Sequence, residues 1–281
     1  MPPIVAVIAP GMMGSAVAKR LTASGVEVRT SLTGRSAATL ARARAAGMTD
    51  ATDAQLAEAD FILSIVPPGQ ALALAERLAP AMRGRKPVYV DCNAVSPDTV
   101  LRIDRVVRET GALFVDGGII GPPPELDSSK TRIYLSGPDA ERVTVLQQYG
   151  LSTPVQAGPV GAASAMKMSY AGITKGFTAL AATMMLAATR AGTADALIAE
   201  MSVSQPGFLK WLTGQMPKMP EKAYRWVAEM EEIAAFVGEG QPGSGFYHEA
   251  ARFYETIAAD LGATGTLAGA LAAFCDKTKP G

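Results

Sequence analysis

Ile4-Val-Ala-Val-Ile-Ala-Pro-Gly11-Met-Met-Gly14-Ser-Ala-Val-Ala-Lys-Arg-Leu21 is the stretch that decides the fold. Its five leading apolar residues predict a buried strand, and the Ala-rich run after Gly14 predicts a helix, with a glycine turn between them. The turn fits the pattern G-x-G-x-x-G with Ala9 in the first glycine position, placed between a strand and a helix as a dinucleotide-binding fingerprint requires. In such a turn Gly11 lets the backbone approach a pyrophosphate and Gly14 lets helix and strand pack closely. The helix N-terminus meanwhile offers unpaired N–H groups to an anion. Pro10, Gly11, Met12, Met13 and Gly14 are therefore candidate cofactor-binding residues, the alternative being a plain tight turn.

Working outward, β-branched runs alternate with helix-length segments rich in Ala, Leu and Arg as far as about residue 157. Strands are predicted at 4–8, 26–30, 61–66, 87–91, 112–116 and 132–136, and helices at 15–23, 36–46, 70–82 and 96–109. Near-continuous apolar strands separated by helices indicate a parallel sheet covered on both faces. The expected fold class is thus α/β, a Rossmann-type doubly wound domain over residues 1–157. After Thr153-Pro-Val-Gln-Ala-Gly158 no strand candidate appears, and residues 158–281 read as an all-α substrate and dimerisation domain. Its breaks fall at Gly192, Pro206, Pro217-Lys-Met-Pro220 and Gly238-Glu-Gly-Gln-Pro-Gly-Ser-Gly245. One helix is predicted from near Gly161 to about Arg190. A helix of that length would reach beyond its own domain and pack on a second subunit, so a homodimer through the helical domain is expected.

Composition narrows the chemistry. The 281 residues include 26 Lys+Arg and 26 Asp+Glu, one histidine (His248) and two cysteines (Cys92 and Cys275). A net charge of zero carries no signature of nucleic acid or an anionic membrane, so the expected partner is a small-molecule substrate. One histidine and two cysteines cannot build the usual zinc sites, and no metal is expected. They form no disulfide framework either, which suits a reducing, cytoplasmic location. Apolar residues at 48% and charged residues at 19% describe a well-buried globular chain. The apolar N-terminus has no basic residue before Lys19 and runs into the glycine turn, so it reads as a strand and not a leader. The stretch 176–189 is 14 uncharged residues, short of the roughly 18–20 of a membrane span, and reads as a core helix.

Where this fold binds NAD, an acid about 20 residues past the turn accepts the adenosine ribose hydroxyls. Here the second strand ends in Thr30-Ser-Leu-Thr-Gly-Arg35-Ser36, and no acid lies between Glu27 and Asp50. Arg35, with Thr33 and Ser36, suits a 2′-phosphate through charge-assisted hydrogen bonds, so NADP(H) is expected over NAD(H). The alternative is an ordinary solvated loop arginine. Val66 and Pro67, at the end of the strand from Phe61, are further candidate cofactor contacts. Asn93 and Ser96 follow the next strand at the edge where open α/β sheets bind ligands, although asparagine there also forms turns.

Four segments together resemble the β-hydroxyacid dehydrogenase superfamily, which includes 6-phosphogluconate dehydrogenases, 3-hydroxyisobutyrate dehydrogenases and imine reductases. They are Val7-Ile-Ala-Pro-Gly-Met-Met-Gly14, Asp91-Cys-Asn-Ala-Val-Ser-Pro97, Val115-Asp-Gly-Gly-Ile-Ile-Gly121 and Gly158-Pro-Val-Gly-Ala-Ala-Ser-Ala-Met-Lys167. The helical remainder is similar to a subgroup carrying a phosphogluconate dehydrogenase-like C-terminal domain of unknown function. The resemblance implies an NAD(P)-dependent enzyme in which Lys167 is the general acid/base and Asn93 lies near nicotinamide and substrate. The lysine also makes chemical sense, because hydride transfer at an alcohol carbon leaves a hydroxyl proton for a positioned side chain to take or return.

Two departures from the family pattern stand out. Ala171 replaces the asparagine usual four residues after the lysine, and Thr174 is the candidate to take over its hydrogen bond. Relatives present a Ser-Gly pair to a substrate carboxylate, whereas this chain has Ile120 and then Pro122, Pro123 and Pro124, which contribute no N–H. Gly117, Gly118 and Gly121 remain as substrate-side donors, and a bulkier or less anionic substrate is expected. His248, after the glycine-rich stretch, is a candidate substrate contact or a solvent-facing residue. The leading expectation is an NADP-dependent enzyme interconverting an alcohol and its carbonyl. Imine reduction on the same fold and non-catalytic NADP binding are the alternatives.

Overall fold

A computed structural model describes residues 1–126 and 130–278. It contains two compact units, Met1–Met168 and Ser169–Gly281, which divide inside a long helix. The first unit is built on strands β1 (Ile4–Ile8), β2 (Glu27–Thr30), β3 (Thr49–Asp50), β4 (Phe61–Ser64), β5 (Val88–Asp91), β6 (Leu113–Ile120) and β7 (Arg132–Ser136). These form one sheet in the order β3-β2-β1-β4-β5-β6-β7, parallel throughout except for the antiparallel β6–β7 pair. The order reverses between β1 and β4, the place where open sheets of this kind leave a ligand crevice beyond the strand ends.

Alternation along each strand feeds two cores. Val5, Val7, Val28, Leu63 and Val90 face one layer with Val17 and Leu21 of α1 (Met12–Ala23) and Ala43 of α2 (Ala37–Ala45). Ala6, Ile8, Ile62, Tyr89 and Phe114 face the other. There they meet Leu56 of α3 (Asp53–Leu56), Leu78 of α4 (Ala71–Met82) and Ile103 of α5 (Pro97–Arg108). Such double coverage explains why the central parallel strands β1, β4 and β5 read as apolar runs.

Two differences from the sequence reading bear on the site. β6 runs on to Ile120 instead of ending at Asp116, with Gly117, Gly118 and Ile119 in register opposite Leu135, Tyr134 and Ile133 of β7. The Gly-Gly pair therefore lies in a strand and not in a loop. β3 is only two residues long and too short to give a periodic signal.

The long helix α6 spans Ala162–Arg190, close to the predicted limits. It is the one helix among the described residues long and apolar enough by composition to cross a membrane, and 44% of its most apolar 18-residue window is buried. The second unit continues with α7 (Ala194–Ser204), α8 (Pro206–Gln215), α9 (Pro220–Val237), α10 (Pro242–Gly262) and α11 (Thr266–Asp276). Its core is rich in methionine: Met216, Met219 and Met230 are fully buried with Ile257. Lys175 of α6 pairs with Glu229 of α9 and lies 5.1 Å from the Trp226 ring, while its carbonyl accepts the Tyr254 hydroxyl at 2.6 Å. The helix α10 starts at Pro242, so the predicted break over 238–245 ends early and Gly243 to Tyr247, before His248, are helical.

Candidate active site

The glycine turn has the geometry its sequence predicts. Gly11 is the N-cap of α1 in extended backbone, no side chain caps that helix end, and its first turn holds no acid. A Cβ at Gly11 would meet no protein atom within 4 Å, whereas one at Gly14 would collide with the Ala9 carbonyl oxygen. Gly14 therefore sets the helix–strand distance, and Gly11 leaves the uncapped N–H groups open to an anion. Pro10 is buried, Met13 is half-buried and Met12 is exposed. These residues fit the pyrophosphate of a dinucleotide.

Beyond β2, Thr33 is exposed in a turn closed by half-buried Arg35, whose N–H donates to the Leu32 carbonyl at 3.1 Å. Ser36 is the N-cap of α2, its hydroxyl accepting from Thr39 N–H at 3.4 Å. Two neighbours were not singled out from the sequence. Arg42 of α2 donates to the Pro10 carbonyl at 3.3 Å, behind the glycine turn. Asp50, brought alongside by β3, accepts from Leu32 N–H at 2.9 Å and so places a carboxylate at the end of β2.

Asn93 is buried, and its side chain is engaged inside the protein. Its amide donates to Ser64 Oγ at 2.7 Å and to the Asp91 carboxylate, while its oxygen accepts from Val66 N–H at 2.6 Å. It thereby holds the β4 loop, with Val66 half-buried and Pro67 exposed beside the switch point. Burial, reinforced by the nearby Asp116 charge and opposed by the Asn93 hydrogen bond, raises the Asp91 carboxyl to about 7. Ser96, expected to touch substrate, is 3% exposed and caps α5 through Thr99 N–H. Its spacing before Pro97 and Thr99 is that of a helix start.

The extended β6 brings the substrate-side glycines under α6. A Cβ on Gly118 would stand 2.8 Å from the Ala163 carbonyl oxygen and 3.1 Å from Lys167 Cβ, so only glycine admits the helix this close. A Cβ on Gly117 would stand 2.9 Å from the Asp91 carbonyl oxygen and 3.2 Å from Cys92 Sγ. Gly121, at φ +123°, turns the chain out of the strand toward the prolines.

Lys167 is half-buried, pairs with no carboxylate among the described residues, and burial lowers its ammonium to about 8. A lysine poised there is mostly ammonium at about pH 7 and keeps a usable fraction of neutral amine, so it can give a proton and take one back. The remaining expected residues lie in the second unit with partners of their own. The Thr174 hydroxyl donates back to the Tyr170 carbonyl at 2.8 Å, and His248 Nδ1 lies 2.7 Å from Glu231.

Among the described residues no cluster of His, Cys, Asp or Glu could hold a metal ion.

Residues 4–150 match the family described as the NAD binding domain of 6-phosphogluconate dehydrogenase, and residues 188–257 match a domain of unknown function (DUF1932). An uncharacterized 28.5 kDa protein of Methanothermus fervidus is 31% identical over 175 residues, 62% of this chain and 66% of that protein. The alignment thus spans just under two thirds of that relative's length.

Among solved structures, the conserved protein MTH1747 of unknown function, described as structurally similar to 3-hydroxyacid dehydrogenases, is 29% identical. It superimposes with a TM-score of 0.71 over 95% of this chain and 98% of its own. Mycobacterium tuberculosis 3-hydroxyisobutyrate dehydrogenase (18% identity, TM-score 0.68, all of both chains) shares the fold. So does a Myxococcus stipitatus imine reductase in complex with NADP+ (20% identity, TM-score 0.55, 93% of this chain and 95% of that one). With its uncapped glycine turn, its sheet reversing at β1 and β4 and its matched residues 4–150, this chain belongs to the family of the NAD binding domain of 6-phosphogluconate dehydrogenase, on a 3-hydroxyacid dehydrogenase fold.

Proposed function

We propose that the chain is an NADP-dependent oxidoreductase interconverting an alcohol, of hydroxy-acid or related type, and its carbonyl compound, with Lys167 as general acid/base. The observation that carries this reading is the placement of Lys167. It is a half-buried lysine lowered to about 8, seated on Gly118 at the edge of the sheet where the β1 turn also opens.

A bound nicotinamide dinucleotide supplies or accepts the hydride. The Lys167 ammonium gives a proton to the carbonyl oxygen during reduction, and its neutral amine takes the hydroxyl proton during oxidation. The uncapped N–H groups of α1 bind pyrophosphate, Arg35 with Thr33 and Ser36 binds the 2′-phosphate, and Asn93 fixes the Val66 loop. Ile120 and the three prolines after Gly121 favour a substrate less anionic or bulkier than a small hydroxy acid. The same loop favours a second reading, imine reduction, which needs no carboxylate clamp.

The homodimer also has a candidate surface. Tyr170, Ile173, Phe177, Leu180 and Met184 of α6 are all exposed and recur at spacings of three and four, a seam that can pair with its own copy across a twofold axis.

The test is NADPH oxidation against a panel of carbonyl compounds and imines. Turnover of carbonyls supports the leading reading, turnover of imines alone supports the second, and NADPH binding without any turnover supports a non-catalytic cofactor-binding protein.

A further inference from the structure

We propose that Asp116 is the positioning residue of this site: its carboxylate fixes the first turn of α6 on the sheet and so sets where Lys167 stands. The proposal rests on the reading of Lys167 as the acid/base.

The four residues before α6 are Gly158, Pro159, Val160 and Gly161, none of which has a side-chain acceptor. The free N–H groups of the helix start therefore need partners from elsewhere in the chain. Asp116, fully buried on β6, provides them. One carboxylate oxygen accepts from Gly161 N–H at 3.0 Å, from Ser164 N–H at 3.1 Å and from the Ser136 hydroxyl at 2.9 Å. The other accepts from the Ser164 hydroxyl at 2.6 Å. Ser136, the register partner of Asp116 on β7, accepts from Ala163 N–H at 3.0 Å, so the pair answers the N–H groups of Gly161, Ala163 and Ser164, while Ala162 N–H donates to the Pro159 carbonyl.

Four donors converge on two oxygens at the positive end of a helix; an amide in this place could still accept the three bonds to one oxygen but would lose the negative charge that meets the helix end. Lys167 lies one turn beyond Ala163. Gly118, two residues beyond Asp116 and so on the same face of β6, touches the helix at Ala163 and Lys167. Asp116 thus pins the helix end, and Gly118 fixes how closely its next turn approaches.

The experiment compares Asp116→Asn and Ser164→Ala with the full-length wild type. It uses thermal melting, NADPH affinity, kcat and KM on a substrate found in the panel, and the pH dependence of acetic anhydride labelling of Lys167 read by mass spectrometry. The labelling follows the lysine whether or not turnover depends on it. Asp116→Asn is expected to raise the titration midpoint of Lys167 by about one unit or more as water reaches it. It should lower kcat about tenfold or more and change NADPH affinity by less than about threefold. Ser164→Ala, which removes one of the four bonds, is expected to move the same readouts in the same direction by less, and it carries the test if Asp116→Asn does not fold. Variants that melt earlier yet keep the wild-type labelling midpoint and kcat would reduce Asp116 to a structural cap and overturn the proposal. If Lys167→Ala keeps full turnover, the acid/base reading fails instead, while the labelling still reports whether Asp116 places the lysine.

Discussion

Replacing Gly118 by alanine perturbs the contact that seats Lys167, and the size of the effect follows from the geometry. The added Cβ would stand 2.8 Å from the Ala163 carbonyl oxygen, and ordinary contact begins near 3.4 Å, so helix and strand must separate by about 0.6 Å. Both obstructing groups belong to α6 itself, one backbone and one the Lys167 Cβ, so no flexible side chain can yield in their place. Overpacking of this kind costs roughly 1–3 kcal/mol, which for a unit of this size lowers the melting temperature by about 2–4 °C per kcal/mol. A 1 Å misplacement at a reacting centre can cost about a hundredfold in rate, so a shift of this size predicts roughly a tenfold loss of kcat with KM for NADPH little changed. The assay is steady-state NADPH oxidation beside thermal melting. Gly269→Ala serves as control, in α11, where an added Cβ meets nothing within 4 Å. Wild-type kcat in Gly118→Ala would refute the idea that this contact places the lysine.

Further predictions concern charge and assembly. Lys167→Met should abolish turnover yet stabilise the fold at pH 7 by about 1–3 kcal/mol, because the wild type buries an ammonium lowered to about 8. Between about pH 8 and 10.4 the unfolded chain holds this proton and the folded chain does not, so wild-type stability rises with pH there and the advantage of the variant shrinks, as urea melts will read. Asp91 behaves oppositely. With its carboxyl raised from 3.8 to about 7, the folded chain keeps a proton that the unfolded chain has released, so this residue's contribution falls by roughly 2–4 kcal/mol between about pH 4 and 7. Asp91→Asn should remove that fall in melts at the two pH values. Arg35→Ala should weaken NADPH binding about tenfold or more and NADH binding little, by titration calorimetry; equal losses would exclude a 2′-phosphate contact. Ile173→Glu should convert a dimer to a monomer in sedimentation, and an unchanged sedimentation coefficient would exclude the α6 seam.

The central strands β1, β4 and β5 were legible because each is buried on both faces and reads as an apolar run. Ile4–Ile8 and Arg132–Ser136 fall at their predicted limits, and Gly14 packs helix against strand as its place in the turn predicts. What could not be read depends on partners remote in the chain. Gly117 and Gly118 look like a turn until α6 is seen lying on them. Ser96 and Ser36 carry the N-cap spacing as plainly as they carry a polar group near a ligand edge, and in each the hydroxyl caps a helix. Asp91 and Asp116 each close an apolar run, Val88-Tyr-Val-Asp91 and Leu113-Phe-Val-Asp116, and pair in register, a signal in the sequence for buried acids near the ligand edge. The glycines before His248 look like a helix break, whereas Pro242 in the first turn starts a helix that runs through them.

If Lys167 moves the proton, the pH dependence of single-turnover NADPH oxidation will show it. In wild type the rate of reduction should fall as pH rises through about 8, where the ammonium is lost. In Lys167→Ala it should drop by about 10²–10⁴ and lose that inflection. An unchanged rate with the same inflection in the variant would contradict the account.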